Sequence, residues 1–151
     1  MSQENVDVVA AYFEQIIRNV RAYQNEPRSY AADLERGESD AASRRVLDLM
    51  HPDIRWTNAL GDVAVGKLAC AKHADELLGA TARYNITLED VVALDATHVL
   101  AVTQIAMTGR VSGVSETALL FQLLTVCEGL ITEHVEYMSR ADALGAVGIE
   151  E

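Results

Sequence analysis

The spacing of hydrophobic residues changes once along this chain, and that change constrains the fold more than any other feature. Up to about residue 82, apolar residues recur every three or four positions, which is the spacing of one helical face. From Arg83 onward they alternate with polar residues, as they do in a half-buried strand. Helices followed by a run of strands predict an α+β fold, because the helices then cover one face of an antiparallel sheet.

Three helices are predicted before the spacing changes, and each has a recognisable end. Pro27 breaks the first helix, and His51-Pro52-Asp53 ends the second, because the residue before a proline avoids helical geometry. Ser39 or Asp40 caps the start of the second helix, which carries Met50 inward. The predicted ranges are about 4–24, 41–50 and 67–78, with a further short helical turn over 30–36.

The strands are separated by turn residues and by one expected irregularity. A short strand covers Ile54 to Asn58, and residues 61–66 are predicted to be a loop. In the first long strand the alternation slips at Val91-Val92, which predicts a bulge. Ser139 then caps a last short helix, with Asp142 three residues further on. The long strands are predicted over 83–92, 99–110, 115–127 and 130–138.

Length and charge limit the class of protein. At 151 residues the chain is expected to form one domain over 1–151, and half of its residues are hydrophobic. A net charge of −11 argues against a nucleic-acid partner and against an anionic membrane partner. The polar, acidic N-terminus does not read as a signal peptide, and no apolar run is long enough to span a membrane. We therefore expect a cytoplasmic protein.

Several short segments, in this order and spacing, resemble the SnoaL-like branch of the nuclear-transport-factor-2-like superfamily. They are Val8-Val9-Ala10-Ala11-Tyr12, Met50-His51-Pro52-Asp53-Ile54-Arg55-Trp56, Gly66 before the third helix, Glu128-Gly129-Leu130-Ile131, and Tyr137-Met138-Ser139-Arg140-Ala141-Asp142-Ala143-Leu144. The resemblance covers nearly the whole chain. One departure is the polar segment from about residue 25 to 39, which is longer than the family usually has.

The resemblance implies a cone-shaped cup, in which a curved antiparallel sheet packs against the N-terminal helices and a short helix ends the chain. It also implies an apolar pocket for a small molecule and a homodimer formed through the sheet. Residues 118–124 are apolar on both faces of their strand, which is consistent with one face lining the cup and the other meeting a partner subunit. Ketosteroid isomerases, polyketide cyclases, limonene-epoxide hydrolases and dehydratases share this fold, so the fold does not give the function.

Glu136 and His134 are the candidate catalytic residues. They lie two positions apart on the last strand and so share a face. Similarity to the epoxide hydrolases places Glu136 where those enzymes have an aspartate acting as general base. A carboxyl in an apolar cup should have a raised pKa, and His134 beside it could share its proton. The alternative is an exposed strand face, where His and Glu are ordinary.

Four other residues are candidate substrate-binding groups. Trp56 and Asn58 alternate on the first strand, near positions where the epoxide hydrolases hold the attacking water. Tyr12 matches a tyrosine that donates to the substrate oxygen in ketosteroid isomerases. Gln122 lies among apolar residues and needs a partner, in the protein or in a ligand. The alternatives are a core tryptophan, a strand-end asparagine and a tyrosine that packs at the edge of the core.

Some chemistries find no support in the sequence. The epoxide hydrolases carry an Arg and an Asp on the strand that corresponds to residues 99–108, and this stretch has no charged residue. Epoxide hydrolysis by an Asp–Arg–Asp relay is therefore not expected. No histidine spacing typical of a metal site and no nucleotide-binding motif is present, so we expect neither a metal nor a cofactor.

Two functions remain open at this point. In the first, the protein is an enzyme that performs cofactor-free acid–base chemistry on an apolar, oxygenated small molecule, as an isomerase, cyclase, dehydratase or hydrolase does. In the second, it is a non-catalytic ligand-binding or dimeric interaction module of the same fold. The first predicts that Glu136 is buried and faces the cup, whereas the second predicts polar groups that satisfy one another.

Overall fold

The structure is a computed structural model that describes residues 2–150, with the side chains of residues 3–150. The helices are α1 (Ser2–Asn25), α2 (Tyr30–Glu35), α3 (Ala41–Asp48), α4 (Lys67–Gly79) and α5 (Arg140–Gly145). The strands are β1 (Met50–Thr57), β2 (Val63–Val65), β3 (Thr81–Ala93), β4 (His98–Gly109), β5 (Ser115–Cys127) and β6 (Leu130–Tyr137). The predicted α+β fold, with helices first and a short C-terminal helix, is confirmed.

The six strands form one open, curved sheet in the order β2-β1-β6-β5-β4-β3. The pairs β3–β4, β4–β5, β5–β6 and β1–β2 are antiparallel, whereas β1 lies parallel to β6. The parallel pairing was not predicted. It places the first and last strands of the chain side by side, so that Trp56 lies opposite His134.

Two local predictions were wrong and a third, the bulge, was correct but misplaced by about two residues; Pro52 explains the first. The second helix ends at Asp48, and Met50, buried at 5% exposure, begins β1 instead of ending a helix. The pairing of β1 with β6 shifts register between Met50 and Arg55, and this interval contains Pro52, which has no N–H to donate to a neighbouring strand. Residues 63–65 form the short strand β2 inside the predicted loop. The bulge in β3 falls between Leu88 and Asp90, before Val91-Val92.

Helix α1 lies across the concave face of the sheet and supplies much of the core. Val9 and Phe13 are 0% and 1% exposed, and they pack in one cluster with Ile54, Leu124 and Ile131. The helices and the sheet do not pack together completely. An apolar hollow remains between α1, α3, α4 and the strands.

The outer face of the sheet is partly covered by the chain itself. Helix α5, capped by Ser139, packs Ala143 and Leu144 against Leu100 and Val102 of β4. Phe121 of β5 packs against the same cluster, so α5 accounts for part of the apolar character that residues 118–124 have on both faces of their strand. Leu119, further along β5, stays 48% exposed. The homodimer stays a prediction.

None of the helices over residues 2–150 is long and apolar enough to cross a membrane. Nor do three His, Cys, Asp or Glu side chains within this part of the chain come together where they could hold a metal ion.

The polar segment before α3 folds into α2, and one carboxylate of α4 holds it in place. Asp75 accepts hydrogen bonds from the Ser29 hydroxyl at 2.8 Å and from the N–H groups of Tyr30 and Ala31 at 2.9 and 3.1 Å. Arg28 adds ion pairs to Asp33 and Asp40. The segment that the family resemblance did not account for therefore forms part of the cavity wall, through Tyr30.

We expect Asp75→Ala to lower the free energy of unfolding by about 1–2 kcal/mol, because three donors at the start of α2 lose their acceptor. Urea denaturation measures the loss. Glu76→Ala is the matched control, since Glu76 is the next residue on α4 and is exposed. Equal effects from the two substitutions would show that Asp75 does not hold α2.

Candidate functional site

The hollow between the helices and the sheet is a cavity of about 160 Å³. Its helical side is mostly apolar, whereas its strand side carries Trp56, Tyr84, Gln122, His134 and Glu136. For comparison, an engineered apolar cavity of about 150 Å³ holds benzene. This cavity therefore has room for a small ring compound, and polar groups reach it from both sides, with Lys67 among those on the helical side.

The register of the sheet gathers these polar side chains. Gln122 of β5 pairs with Glu136 of β6, and Trp56 of β1 pairs with His134 of β6. Residues that pair across neighbouring strands point to the same face. His134 and Glu136 share that face because they lie two apart on one strand. The indole of Trp56 stacks on the His134 ring, with centroids 5.5 Å apart and planes 14° apart.

Four buried side chains form a hydrogen-bond chain whose direction is fixed at one end. The Thr103 hydroxyl donates to the carbonyl of Leu120 at 3.2 Å, so its oxygen must accept from the Gln122 Nε2 group at 3.0 Å. Gln122 Oε1 then faces His134 Nε2, which must carry a hydrogen. His134 Nδ1 is left as the acceptor, and the Tyr12 hydroxyl donates to it at 3.3 Å.

His134 is a neutral member of this chain. It is 4% exposed, and burial lowers the pKa of its imidazole to about 3, because no carboxylate bonds to either ring nitrogen. Both ring nitrogens are occupied by Gln122 and Tyr12. The sequence suggested that His134 might share a proton with Glu136, but the structure gives these two side chains no hydrogen bond. His134 instead orients Tyr12 and Gln122.

Glu136 is the one carboxylate among the described residues that line the cavity. Burial raises its pKa to about 6, although nearby donors oppose the shift. The backbone N–H of Ala59 donates to Oε1 at 3.2 Å, and the side chains of Gln122 and Trp56 also favour the charged form. A carboxyl with a pKa near 6 can both take up and release a proton near neutral pH.

Two donors beside Glu136 are not committed to a protein acceptor. The indole N–H of Trp56 is buried and has no hydrogen-bond partner among the described residues, although it lies near enough to favour the charged form of Glu136. Tyr84, on β3, is 8% exposed and lines the cavity, and no described residue bonds its hydroxyl. Burial, and then the charge of Glu136, raise the pKa of Tyr84.

Sequence reasoning did not select Tyr84, although a signal was present. Tyr84, Ile86 and Leu88 alternate with polar residues, so the strand period already placed Tyr84 on the inner face. What the sequence did not show is that the sheet curls far enough to bring β3 into the same cavity as β6.

Of the six residues proposed from the sequence, five line the cavity and Asn58 does not. Asn58 closes the turn between β1 and β2. Its side-chain oxygen accepts from the N–H groups of Leu60 and Asp62, both at 3.0 Å, and its amide nitrogen lies 3.0 Å from Nε2 of His73. The amide is used by the turn and by His73 of α4, so Asn58 is not part of the site.

Cys70 also lines the cavity, and burial raises the pKa of its thiol to about 11. A thiol with so high a pKa is almost entirely protonated at neutral pH, and it is a poor nucleophile for that reason.

Solved structures with this architecture come from proteins of several kinds. A protein of Jannaschia sp. CCS1, named as a candidate SnoaL-like polyketide cyclase, superposes with a TM-score of 0.66 at 14% identity, over 100% of this chain and 96% of that one. An LEH-like epoxide hydrolase of M. tuberculosis superposes with a TM-score of 0.55 at 18% identity, over 95% of this chain and 89% of that one. At such identities these likenesses show the fold alone.

A protein of Catenulispora acidiphila with a ketosteroid isomerase-like fold, solved in complex with trimethylamine, gives a TM-score of 0.58 at 15% identity, over 80% of this chain and 90% of that one. No curated protein matches the sequence. The family model described as a SnoaL-like domain matches residues 28–134, which is most of the chain. The chain therefore belongs to the family of SnoaL-like domains.

Proposed function

We propose that this protein is a cofactor-free enzyme that moves protons on an apolar, oxygenated small molecule bound in the cavity. The observation that carries the proposal is Glu136: a half-buried carboxyl with a raised pKa near 6, and the one carboxyl among the described residues on the wall of a largely apolar hollow. We assign it the role of general base and general acid.

The surroundings of Glu136 leave both of its protonation states accessible. In the charged form, the carboxylate is stabilised by the Ala59 N–H and by the nearby Gln122 and Trp56 side chains. In the neutral form, it avoids the desolvation cost that raises its pKa. Because the two opposing effects leave the pKa near neutrality, both states are accessible during a catalytic cycle.

Gln122, His134 and Tyr12 have a positioning role in this proposal. Their hydrogen-bond chain runs from a backbone carbonyl of β5 to the cavity wall, and each member uses its neighbour. It fixes the amide of Gln122 beside Glu136. A cytoplasmic location is part of the same proposal, although it rests on the sequence alone.

Deuterium exchange tests the proposal without knowledge of the natural reaction. A small ketone such as acetophenone is incubated with the protein in D2O, and NMR follows the loss of the hydrogens next to its carbonyl. We expect exchange faster than in buffer. Binding is followed separately by the emission of Trp56, the single tryptophan of the chain, which lines the cavity.

The alternative, a binding module without chemistry, is favoured by one observation. The chain from Tyr12 to Thr103 satisfies its own polar groups, as a passive pocket would. A saturable change in Trp56 emission without any accelerated exchange, over a panel of ketones, would favour this alternative over catalysis.

A further inference from the structure

The hydroxyl of Tyr12 lies on the cavity wall, but its hydrogen is already used. A phenol has one hydrogen to donate, and that of Tyr12 goes to His134 Nδ1. The direction cannot reverse without breaking the chain, because it is set by the backbone carbonyl of Leu120 through Thr103. Towards a ligand, Tyr12 can therefore only accept a hydrogen bond.

Tyr84 differs from Tyr12 in this respect. Both are buried and both line the cavity, but no described residue bonds the Tyr84 hydroxyl. The Tyr84 ring is buried, but its hydroxyl is accessible, since the indole nitrogen of Trp56 is the one buried side-chain polar atom without a partner among the described residues. The position of Tyr84 on β3, across the curl of the sheet from β6, leaves its hydrogen available to a molecule in the cavity.

Tyr84 also remains a donor when the nearby carboxyl is charged. The negative charge of Glu136 and burial both disfavour the phenolate, so the hydroxyl keeps its hydrogen. The unpartnered indole N–H of Trp56 lies near the same carboxyl. Tyr84 and Trp56 therefore each offer a free donor near Glu136, and Tyr12 does not. Lys67 also lines the cavity, but it lies on the helical side, at the start of α4.

We propose that Tyr84, and not Tyr12, donates the hydrogen bond to the oxygen of the ligand, and that the ligand is a small ring compound with a carbonyl oxygen. This inference rests on the proposed function, because it takes the cavity to be the ligand site. When the Glu136 carboxylate takes a proton from the carbon next to that carbonyl, the electron pair of the C–H bond stays behind in the enolate and negative charge develops on the oxygen. A fixed neutral donor there stabilises the charge.

The test compares acetophenone with α-methylstyrene, which has the same shape but a CH2 group in place of the carbonyl oxygen. Dissociation constants are measured by the emission of Trp56 for the wild type and for Tyr84→Phe, Tyr12→Phe and Tyr23→Phe. We expect the wild type to prefer the ketone by about three- to tenfold, the range of one neutral hydrogen bond. Tyr84→Phe should lose the preference, and Tyr12→Phe should keep it.

Tyr23→Phe is the matched control, because Tyr23 packs beside Tyr30 and does not line the cavity. The carbonyl stretching frequency of bound, carbon-13-labelled acetophenone gives a second readout, which should shift to higher frequency in Tyr84→Phe alone. An unchanged preference and frequency in Tyr84→Phe, or their loss in Tyr12→Phe, would overturn the assignment while the ligand site stands. If neither compound binds the wild type, the cavity is not the site, and the proposed function fails as well.

Discussion

Glu136→Gln should slow ketone exchange by about 10²–10⁴-fold, the contribution that a positioned general base makes. The substitution keeps the shape of the side chain and its hydrogen bond from Ala59, but the amide cannot take up a proton. Binding of acetophenone, followed by the emission of Trp56, should change far less than the rate. This split between rate and binding separates lost chemistry from a lost pocket.

The pH dependence of the rate provides the internal check on this prediction. The base is the carboxylate, whose pKa lies near 6, so the wild-type rate should rise with pH up to about 6 and level off above. Glu133→Gln is the matched control, because Glu133 lies on the same strand and does not line the cavity. A rate that falls equally in both variants, or that stays constant from pH 5 to 7, would exclude Glu136 as the base.

The residues of the last strand were predictable because the side-chain period of a strand is fixed. Residues two positions apart on one strand point to the same face, so the sequence alone places His134 and Glu136 together. The same reasoning placed Trp56 and Asn58 on one face, and there it failed. Asn58 lies just beyond the end of β1 at Thr57, and a residue in a turn no longer follows the strand period.

The chemical roles of the site residues were less predictable than their positions in the fold. The sequence suggested a proton-sharing pair, but which nitrogen of His134 carries hydrogen depends on a backbone carbonyl 14 positions earlier, that of Leu120, through two other side chains. Tyr84 was missed for a similar reason. Its contribution depends on how far the sheet curls, and local alternation of polar and apolar residues does not encode that curl.

Glu136 and His134 should also act in opposite directions on the stability of the fold as the pH falls. The pKa of Glu136 is about 6 in the folded state and 4.5 in an ordinary glutamate, so the folded state takes up the proton first. Acidification from pH 6 to 4.5 therefore stabilises the fold, by about 2 kcal/mol at about 1.4 kcal/mol per pKa unit.

His134 has the opposite sign. Its pKa is about 3 in the folded state against an ordinary 6.5, so below pH 6.5 the unfolded chain binds a proton that the folded chain refuses. The contribution of His134 to the free energy of unfolding therefore falls progressively as the pH drops from 6.5 towards 3, by about 4–5 kcal/mol over the whole range. Between pH 6 and 4.5 the two contributions nearly cancel, and the wild-type stability should be almost flat.

Removing Glu136 should expose the slope that His134 produces. In Glu136→Gln the free energy of unfolding, measured in urea, should fall by about 1.4 kcal/mol per pH unit from pH 6 to 4.5, whereas the wild type should change little. The pKa of Asp95 is lowered to about 2, mainly by the N–H of Thr97. Measurements above pH 4 therefore contain little contribution from the titration of Asp95. If Glu136→Gln and wild type give parallel profiles, Glu136 does not hold a raised pKa, and its role as proton carrier loses its physical basis.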